Sequence, residues 1–180
     1  MRYLTSLFFT LLMLVAFPAK AGMGLTLVMV TPEQFSQAQR DEAVHSKMLF
    51  EPSPDVALEM DKAWHGIHYL LTGDPLSSRG VLGQVIFGGV EFGPDIGYGP
   101  ARYINPRQVG EIAAALKNFP VDRFKDRYDP KAMTEAEIYP SNWDREGQEG
   151  LGWLVAGLAQ LIEFYGRAAA QGKGVILAIL

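Results

Sequence analysis

The chain has 180 residues, with 20 acidic and 16 basic side chains, a formal net charge of −4, and no cysteine. The lack of cysteine excludes disulfides, thiolate metal sites and thiol nucleophiles. The acidic balance argues against nucleic acid or an anionic membrane as the partner, while 48% hydrophobic residues suffice for the core of one domain.

The first 21 residues have the pattern of a secretory signal peptide. Arg2 provides a positive start, residues 4–17 form an uncharged apolar run, and Ala19-Lys20-Ala21 places small residues where signal peptidase reads them. The run of 14 residues is shorter than the roughly 20 that span a bilayer. We therefore expect cleavage after Ala21, a periplasmic or secreted protein, and no membrane attachment after cleavage. Residues 22–180 carry all 20 acidic side chains and 14 of the 16 basic ones, a charge of −6.

The first half of the domain shows a strand followed by helices. Residues 25–30 are apolar and β-branched, which predicts a strand, and Thr31-Pro32-Glu33-Gln34 has the capping-box pattern of a helix that runs to about Arg40. Residues 41–56 are predicted to be irregular. A longer helix is predicted over 58–71, with Met60, Trp64, Ile67 and Leu71 on one apolar stripe and Gly73 as its C-cap.

The second half is glycine-rich at first and helical later. The patterns predict short strands at 85–87 and 90–92, a tight turn at 97–100 leading into an extended segment, and helices at 105–118, 122–128, 130–137 and 146–171, with a terminal strand at 175–180. Strands at both ends with helices between them indicate the α+β class. We expect a small sheet that includes the N- and C-terminal strands, packed with several helices and a long C-terminal helix.

Several sequence blocks occur in order along the chain: Gly22-Met23-Gly24, Asp61-Lys62-Ala63-Trp64-His65-Gly66-Ile67-His68-Tyr69-Leu70-Leu71-Thr72-Gly73, Pro75-Leu76-Ser77 with Val81-Leu82-Gly83, Tyr98-Gly99-Pro100-Ala101-Arg102-Tyr103, and Ile138-Tyr139-Pro140 with Trp143. Together these blocks resemble the YfbM-like family, a bacterial domain of unknown function. The resemblance covers residues 22–180 and implies a single compact α+β domain. It implies no activity, substrate or catalytic residue. Members of the family usually look cytosolic, so the signal peptide of this chain is a departure.

The polar side of the predicted 58–71 helix is the best candidate for chemistry. Asp61, His65, His68 and Thr72 follow i, i+4, i+7, i+11 spacing and share one arc. Two histidines and a carboxylate form the ligand set of some zinc and iron sites, and His68 oriented by Asp61 could act as a general base. The alternative is structural: Asp61 at a helix start and two half-buried histidines bonded to neighbouring loops.

A second candidate is Arg102, which lies between Tyr98 and Tyr103. An arginine on a Gly-Pro turn beside aromatic rings can grip a carboxylate or phosphate with two hydrogen bonds, or it can tie the loop to an acidic helix. Asp74, Ser77 and Arg79 follow the histidine-bearing helix and could line the same cleft. Ser77 lacks the Gly-x-Ser-x-Gly context of a hydrolase nucleophile.

The late aromatic residues Tyr139, Trp143 and Trp153 can build a binding surface or belong to the core. The glycines around Gly88-Gly89 match no phosphate loop or dinucleotide fingerprint, so the sequence predicts no cofactor.

Two hypotheses for function remain open. The first is a periplasmic binding protein that recognises a protein partner, as an inhibitor or immunity-type factor, because the domain is small, acidic and exported and lacks a complete catalytic motif. The alternative is a hydrolase or transferase acting on a small molecule or cell-wall fragment, with Asp61, His65, His68 and Arg102 in one pocket.

Overall fold

A computed structural model describes residues 22–180, and the predicted signal peptide lies outside these residues. Along the described part of the chain the elements are β1 (Leu25–Val30), α1 (Pro32–Arg40), α2 (Glu42–Phe50), β2 (Ala57–Met60), α3 (Ala63–Thr72), α4 (Gly80–Phe87), β3 (Val90–Asp95), β4 (Pro100–Ile104), α5 (Pro106–Lys117), α6 (Val121–Asp126), α7 (Pro130–Glu135), α8 (Trp143–Ala170) and β5 (Gly174–Ile179).

The strands form one antiparallel sheet in the order β2-β1-β5-β4-β3. The first and last strands therefore lie side by side near its centre, with Leu25 opposite Ile179 and Val30 opposite Gly174. The predicted α+β class, the pairing of the two terminal strands and the long C-terminal helix are confirmed.

Helices cover both faces of the sheet, and the side chains of the central strands alternate between two apolar clusters. Leu25, Leu27 and Met29 of β1 belong to the larger cluster, which α3, α5 and α8 complete. Val28 and Val30 belong to the smaller cluster, to which α2 adds Leu49 and α1 adds Phe35. Because both faces are buried, β1 is apolar at almost every position rather than at alternate ones.

The helix ends that carry strong local signals lie where the sequence places them. Thr31 accepts the backbone N–H of Gln34, whose side chain accepts the N–H of Thr31 in return, and Asn105 and Gln108 form the same capping box at α5. Gly73 ends α3 in the left-handed conformation, with φ of 79°.

The prediction that residues 41–56 are irregular is wrong, because α2 occupies most of that stretch. Asp41 caps it by accepting the backbone N–H groups of Ala43 and Val44. The helix buries His45 and Leu49 against the sheet. Pro52 and Pro54, which favour an irregular chain, lie beyond the end of α2.

The predicted 58–71 helix is two elements. Residues Ala57–Met60 pair with β1 as an edge strand, and α3 begins only at Ala63. Met60 still reaches the core, but from a strand, so its place on the helical stripe was a coincidence of spacing. Pairing with an existing strand here outweighs the helical pattern.

The predicted strand at 85–87 is also wrong, because these residues form the last turn of α4. Their apolar run is buried on α4 rather than in the sheet: Val85 and Ile86 are almost fully buried. The neighbouring prediction is confirmed, since residues 90–92 begin β3, an exposed edge strand.

Helix α8 is the longest element and corresponds to the helix predicted over 146–171. It starts at Trp143, contains a break at Gly147, and buries Leu154, Leu158 and Leu161. Within residues 22–180, no helix combines the length and the apolar character needed to cross a membrane.

Helices α3 and α8 touch at a glycine. A Cβ atom at Gly66 would lie 2.9 Å from Cη2 and Cζ2 of the buried Trp143 ring and 2.8 Å from Cδ2 of Leu154. The indole cannot move away easily, because its Nε1 donates to the carbonyl of Ile138 at 2.7 Å. At Gly152, on the outer face of α8, a Cβ would meet no atom within 4 Å.

These two glycines provide a matched pair for a stability test. We expect Gly66→Ala to lower the free energy of unfolding by about 1–2 kcal/mol, because overpacking exceeds the gain in helix propensity. Gly152→Ala should raise it by about 0.5–1 kcal/mol, since only the propensity term acts. Urea denaturation of both variants measures the difference, and equal effects in the two would contradict the proposed contact.

Candidate functional site

Five of the nine predicted site residues lie around α3, namely His65, His68, Asp74, Tyr139 and Trp143. Tyr98, Arg102 and Tyr103 lie on the β3–β4 hairpin, and Asp61 is exposed between β2 and α3.

Both ring nitrogens of His65 are bound to backbone groups. The N–H of Tyr139 donates to Nδ1 at 3.0 Å, so the ring proton is on Nε2, which donates to the carbonyl of Pro75 at 2.9 Å. Burial lowers the pKa of His65, and the bond to Pro75 opposes this in part. The imidazole therefore ties together two loops and has no nitrogen left for a substrate or metal.

The residues around His65 tie down the start of the domain. The Trp64 ring stacks on His65, and its Nε1 donates to the carbonyl of Met23 at 3.0 Å. The phenol oxygen of Tyr139 accepts the backbone N–H of Met23 at 3.1 Å. Trp64 and Tyr139 therefore fix the backbone of Met23, which lies just after the predicted cleavage point.

His68 is fully buried and differs from His65 in having no polar partner. Neither of its ring nitrogens forms a hydrogen bond within the described residues, and the Phe87 ring lies edge-on at 4.6 Å between centroids. Burial, with a smaller contribution from neighbouring His65 and a partial opposing one from Asp74, lowers the pKa of His68 to about 4. The ring is thus neutral at pH 7 and shielded from solvent.

Arg102 is held by the hairpin on which it lies. Its Nε donates to the carbonyl of Gly88 at 3.0 Å, Nη2 donates to that of Gly89 at 3.3 Å, and Nη1 pairs with the carboxylate of Glu91. The acidic partner is on β3, directly opposite in the sheet, and not on a helix. These bonds use all three nitrogens of the guanidinium group, so the side chain secures the turn before β3.

Asp74, Tyr98 and Tyr103 have separate surroundings. Asp74 caps the loop after α3 by accepting the N–H groups of Leu76 and Ser77. Tyr98 is exposed at the hairpin turn. The Tyr103 ring stacks on Phe35 of α1 at 3.6 Å, and burial raises the pKa of its phenol.

The late aromatic residues divide between core and surface. Trp143 is fully buried and Tyr139 is half-buried. Trp153 lies ten residues after Trp143 on α8. Its ring stacks on that of Trp143 with 5.9 Å between centroids, and 38% of its surface is exposed.

The arrangement favours a structural role for most of the candidates. Among residues 22–180 no cluster of three or more His, Asp or Glu side chains could hold a metal ion. A shallow, open depression of about 350 Å³ is lined by Pro32, Glu33, Ser36, Gln37 and Arg40, all on α1, and by none of the nine candidates.

The sequence prediction missed His45. It is 1% exposed on α2, and neither ring nitrogen has a hydrogen-bond partner within the described residues. The ring meets Phe92 edge-on at 5.1 Å and lies against the backbone of Gly93. Burial lowers its pKa, opposed in part by Glu42. The Asp41 cap followed by Val44, Met48 and Leu49 at helical spacing was the signal that could have revealed this buried helix.

The antiparallel sheet, the helices that cover both of its faces and the long C-terminal helix define a small α+β domain. The chain belongs to the family described as domain of unknown function DUF1877, which matches residues 22–178. The YfbM-like resemblance is thereby confirmed.

A solved structure agrees with this assignment. The crystal structure of YfbM from Escherichia coli, a protein of unknown function, matches with a TM-score of 0.69 over 88% of this chain and 99% of that one, at 21% identity. At that identity the likeness concerns the fold. A comparison with curated protein sequences gives no match.

The role of His65 can be tested against that of Asp61. We expect His65→Leu to lower the free energy of unfolding by about 1–3 kcal/mol, because it leaves the N–H of Tyr139 and the carbonyl of Pro75 unpaired. Asp61→Ala, at an exposed position, should change it by less than about 0.5 kcal/mol. Thermal and urea unfolding measure both, and an unchanged stability of His65→Leu would contradict the tie between the two loops.

Proposed function

We propose that this chain is an exported protein-binding domain that acts in the periplasm as an inhibitor or immunity-type factor on a partner with a basic surface. The observation that carries the proposal is an uncharged, solvent-exposed face on α8. The supporting argument from the candidate site is that both ring nitrogens of His65 and three of the five N–H groups of Arg102 form internal bonds.

The exposed face of α8 lacks the charges that a solvent-facing helix usually carries. Residues 150–162 contain no charged side chain. The exposed positions in this stretch are Gly152, Trp153, Ala156, Ala159 and Gln160. Helices that face water normally place charged or polar residues on that side. Small residues around one large aromatic ring favour a flat surface that another protein can cover.

Two exposed glycines on α8 have no role inside the domain. A Cβ atom at Gly152 or Gly166 would meet nothing within 4 Å, whereas one at Gly157 would lie 2.7 Å from Cδ1 of Ile67. Each exposed glycine weakens the helix by roughly 1 kcal/mol relative to alanine. Close approach of a partner's backbone would account for a residue without a side chain at these positions.

Trp153 is suited to anchor such a contact. Its ring rests on Trp143, which is buried and hydrogen-bonded, so the exposed edge is already ordered before a partner binds. Pre-ordered tryptophan side chains are common hot spots of protein interfaces, because little conformational entropy remains to be lost.

The surrounding charge favours a basic partner over a second copy of the chain. Residues 22–180 have a formal charge of −6, and Glu149 and Glu163 flank the uncharged face. If two copies of α8 paired antiparallel about Ala156, Glu149 of each would lie opposite Glu163 of the other, so like charges would meet. A basic partner would instead gain from both carboxylates and from cation–π contact with Trp153.

The experiment uses the full chain, expressed with its own leader and a C-terminal tag and recovered from the periplasm as bait. Its N-terminal residue, identified by mass spectrometry, should be Gly22. We expect a specific basic protein to be retained near 0.1 M salt, with binding weakened at least about tenfold by Trp153→Ala and progressively by added salt.

Phe50→Ala, which removes another exposed aromatic side chain, is the matched control and should leave binding unchanged. Gly152→Ala should weaken binding while leaving the fold intact. An uncleaved bait retained in the cytoplasm would contradict export. Recovery of no partner, equal retention by Trp153→Ala, or dimerisation of the bait through this face would contradict the proposed interaction.

A further inference from the structure

Two buried histidines contact the same short segment from different elements. His45 of α2 meets Phe92 edge-on, and a Cβ atom at Gly93 would lie 2.8 Å from its Nε2. His68 of α3 meets the Phe87 ring. The two contacts therefore fall on the two ends of residues 87–93, which lead from the end of α4 through a double-glycine turn into β3.

The two histidines also belong to the two opposite layers of the domain. Phe87 packs on the larger apolar cluster, with α3, and Phe92 packs on the smaller cluster, with α2. Within residues 22–180, His45 and His68 are the histidines whose two ring nitrogens are buried without a hydrogen-bond partner. An imidazolium at either position would have no acceptor for its two N–H groups.

We propose that the 87–93 segment, with edge strand β3, is an acid-released element that stays docked only while His45 and His68 are neutral. Protonation of the two rings in their apolar surroundings would favour the state in which this segment leaves and the rings reach water. Strand β3 is the natural element to move, since it is at the edge of the sheet, pairs with β4 alone and is largely exposed.

The charges near His45 do not replace the missing partner. Glu42, one turn earlier on α2, favours the protonated form but does not outweigh burial. On β3, Glu91 pairs with Arg102, and Asp95 accepts the N–H groups of Gly97 and Gly99. The packed strand β1 has no ionisable side chain, and α1 contributes Glu33 and Arg40, both exposed.

The charges near His68 do not replace its missing hydrogen-bond partner either. His65 disfavours its protonation and Asp74 favours it in part. Helix α4 has no ionisable residue, and the charged side chains of α8 are exposed. Arg127, which follows α6, donates to the carbonyls of Leu70 and Leu71 at the end of α3 and adds a positive charge.

The sign of the pH dependence follows from these surroundings. A histidine released to water has a pKa near 6.5, whereas docking lowers the pKa of His68 to about 4 and also lowers that of His45. The released state thus binds more protons. Docking is fully favourable above pH 6.5 and weakens as the pH falls from 6.5 towards 4.

Release would change the surface that the domain presents. Strand β4 would become the edge of the sheet, and Arg102 would lose Gly88, Gly89 and Glu91 as partners. Phe92 would no longer cover the smaller apolar cluster. An exported protein meets the pH outside the cell, so this device would make its exposed surface depend on acidity.

Hydrogen exchange read by mass spectrometry on the cleaved, full-domain protein tests the proposal. Rates are measured from pH 7 to pH 4 and corrected for the intrinsic pH dependence of exchange. We expect the protection of amides 88–95 to fall by on the order of tenfold between pH 6.5 and 4.5, while β1 and β5 keep theirs. Uniform loss across the chain, or unchanged protection of 88–95, would overturn the proposal.

The variant His45→Leu/His68→Leu, which replaces both rings by apolar side chains, should keep residues 88–95 protected at pH 4.5. Loss of protection equal to that of the wild type would contradict the assignment. If the variant does not fold, the ring signals of the wild-type histidines decide instead. In a nuclear magnetic resonance titration, His45 and His68 should protonate over the same pH range as the opening, and rings that stay neutral through it would overturn the proposal.

Discussion

The antiparallel pairing of β1 with β5 is the constraint on which the rest of the domain depends. It joins residues about 150 positions apart in sequence, through six paired positions from Leu25–Ile179 to Val30–Gly174. Reciprocal bonds of 2.8 Å between Gly24 and Leu180 extend it by one more pair. Because β1 and β5 carry apolar side chains on both faces of the sheet, both faces must be covered, which explains why helices pack on two sides and why the chain has two apolar clusters.

The same constraint gives the candidate site residues their roles. The chain must return from β1 to β5 through a series of helices and loops, and these need internal ties. His65 joins the loop at Pro75 to that at Tyr139, and Arg102 holds the turn before β3. Three residues of the pattern that suggested chemistry, His65, Asp74 and Arg102, thus bond to the backbone of loops. The exposed side of α8 is the surface that we propose for a partner.

An element of the fold could be predicted from the sequence where its signal lies within a few neighbouring residues. The capping boxes at Thr31 and Asn105 and the C-cap at Gly73 are short-range patterns, and the predicted helix ends there were right. Strand β2 could not be predicted in the same way, because residues 57–60 are a strand only through pairing with β1, some thirty residues earlier. Helix α4 was mistaken for a strand since a short apolar run has no decisive period.

The site was harder to predict than the fold for a physical reason. The spacing of His65 and His68 correctly places both on one helix, but it does not reveal which ring nitrogens are satisfied. The partner of His65 Nδ1 is a backbone group 74 positions later in the chain. His68, only one turn away, has none within the described residues. His45 was overlooked because its helix was not recognised.

Native-state hydrogen exchange at neutral pH, followed over a series of low denaturant concentrations, tests the central claim about β1 and β5 most directly. If their pairing holds the domain together, the amides of Val28 and Ile176 should exchange only through global unfolding, with protection at least equal to that of Leu158 and Leu161 in α8. Exchange of the two central strands through smaller openings than those that expose α8 would contradict the account.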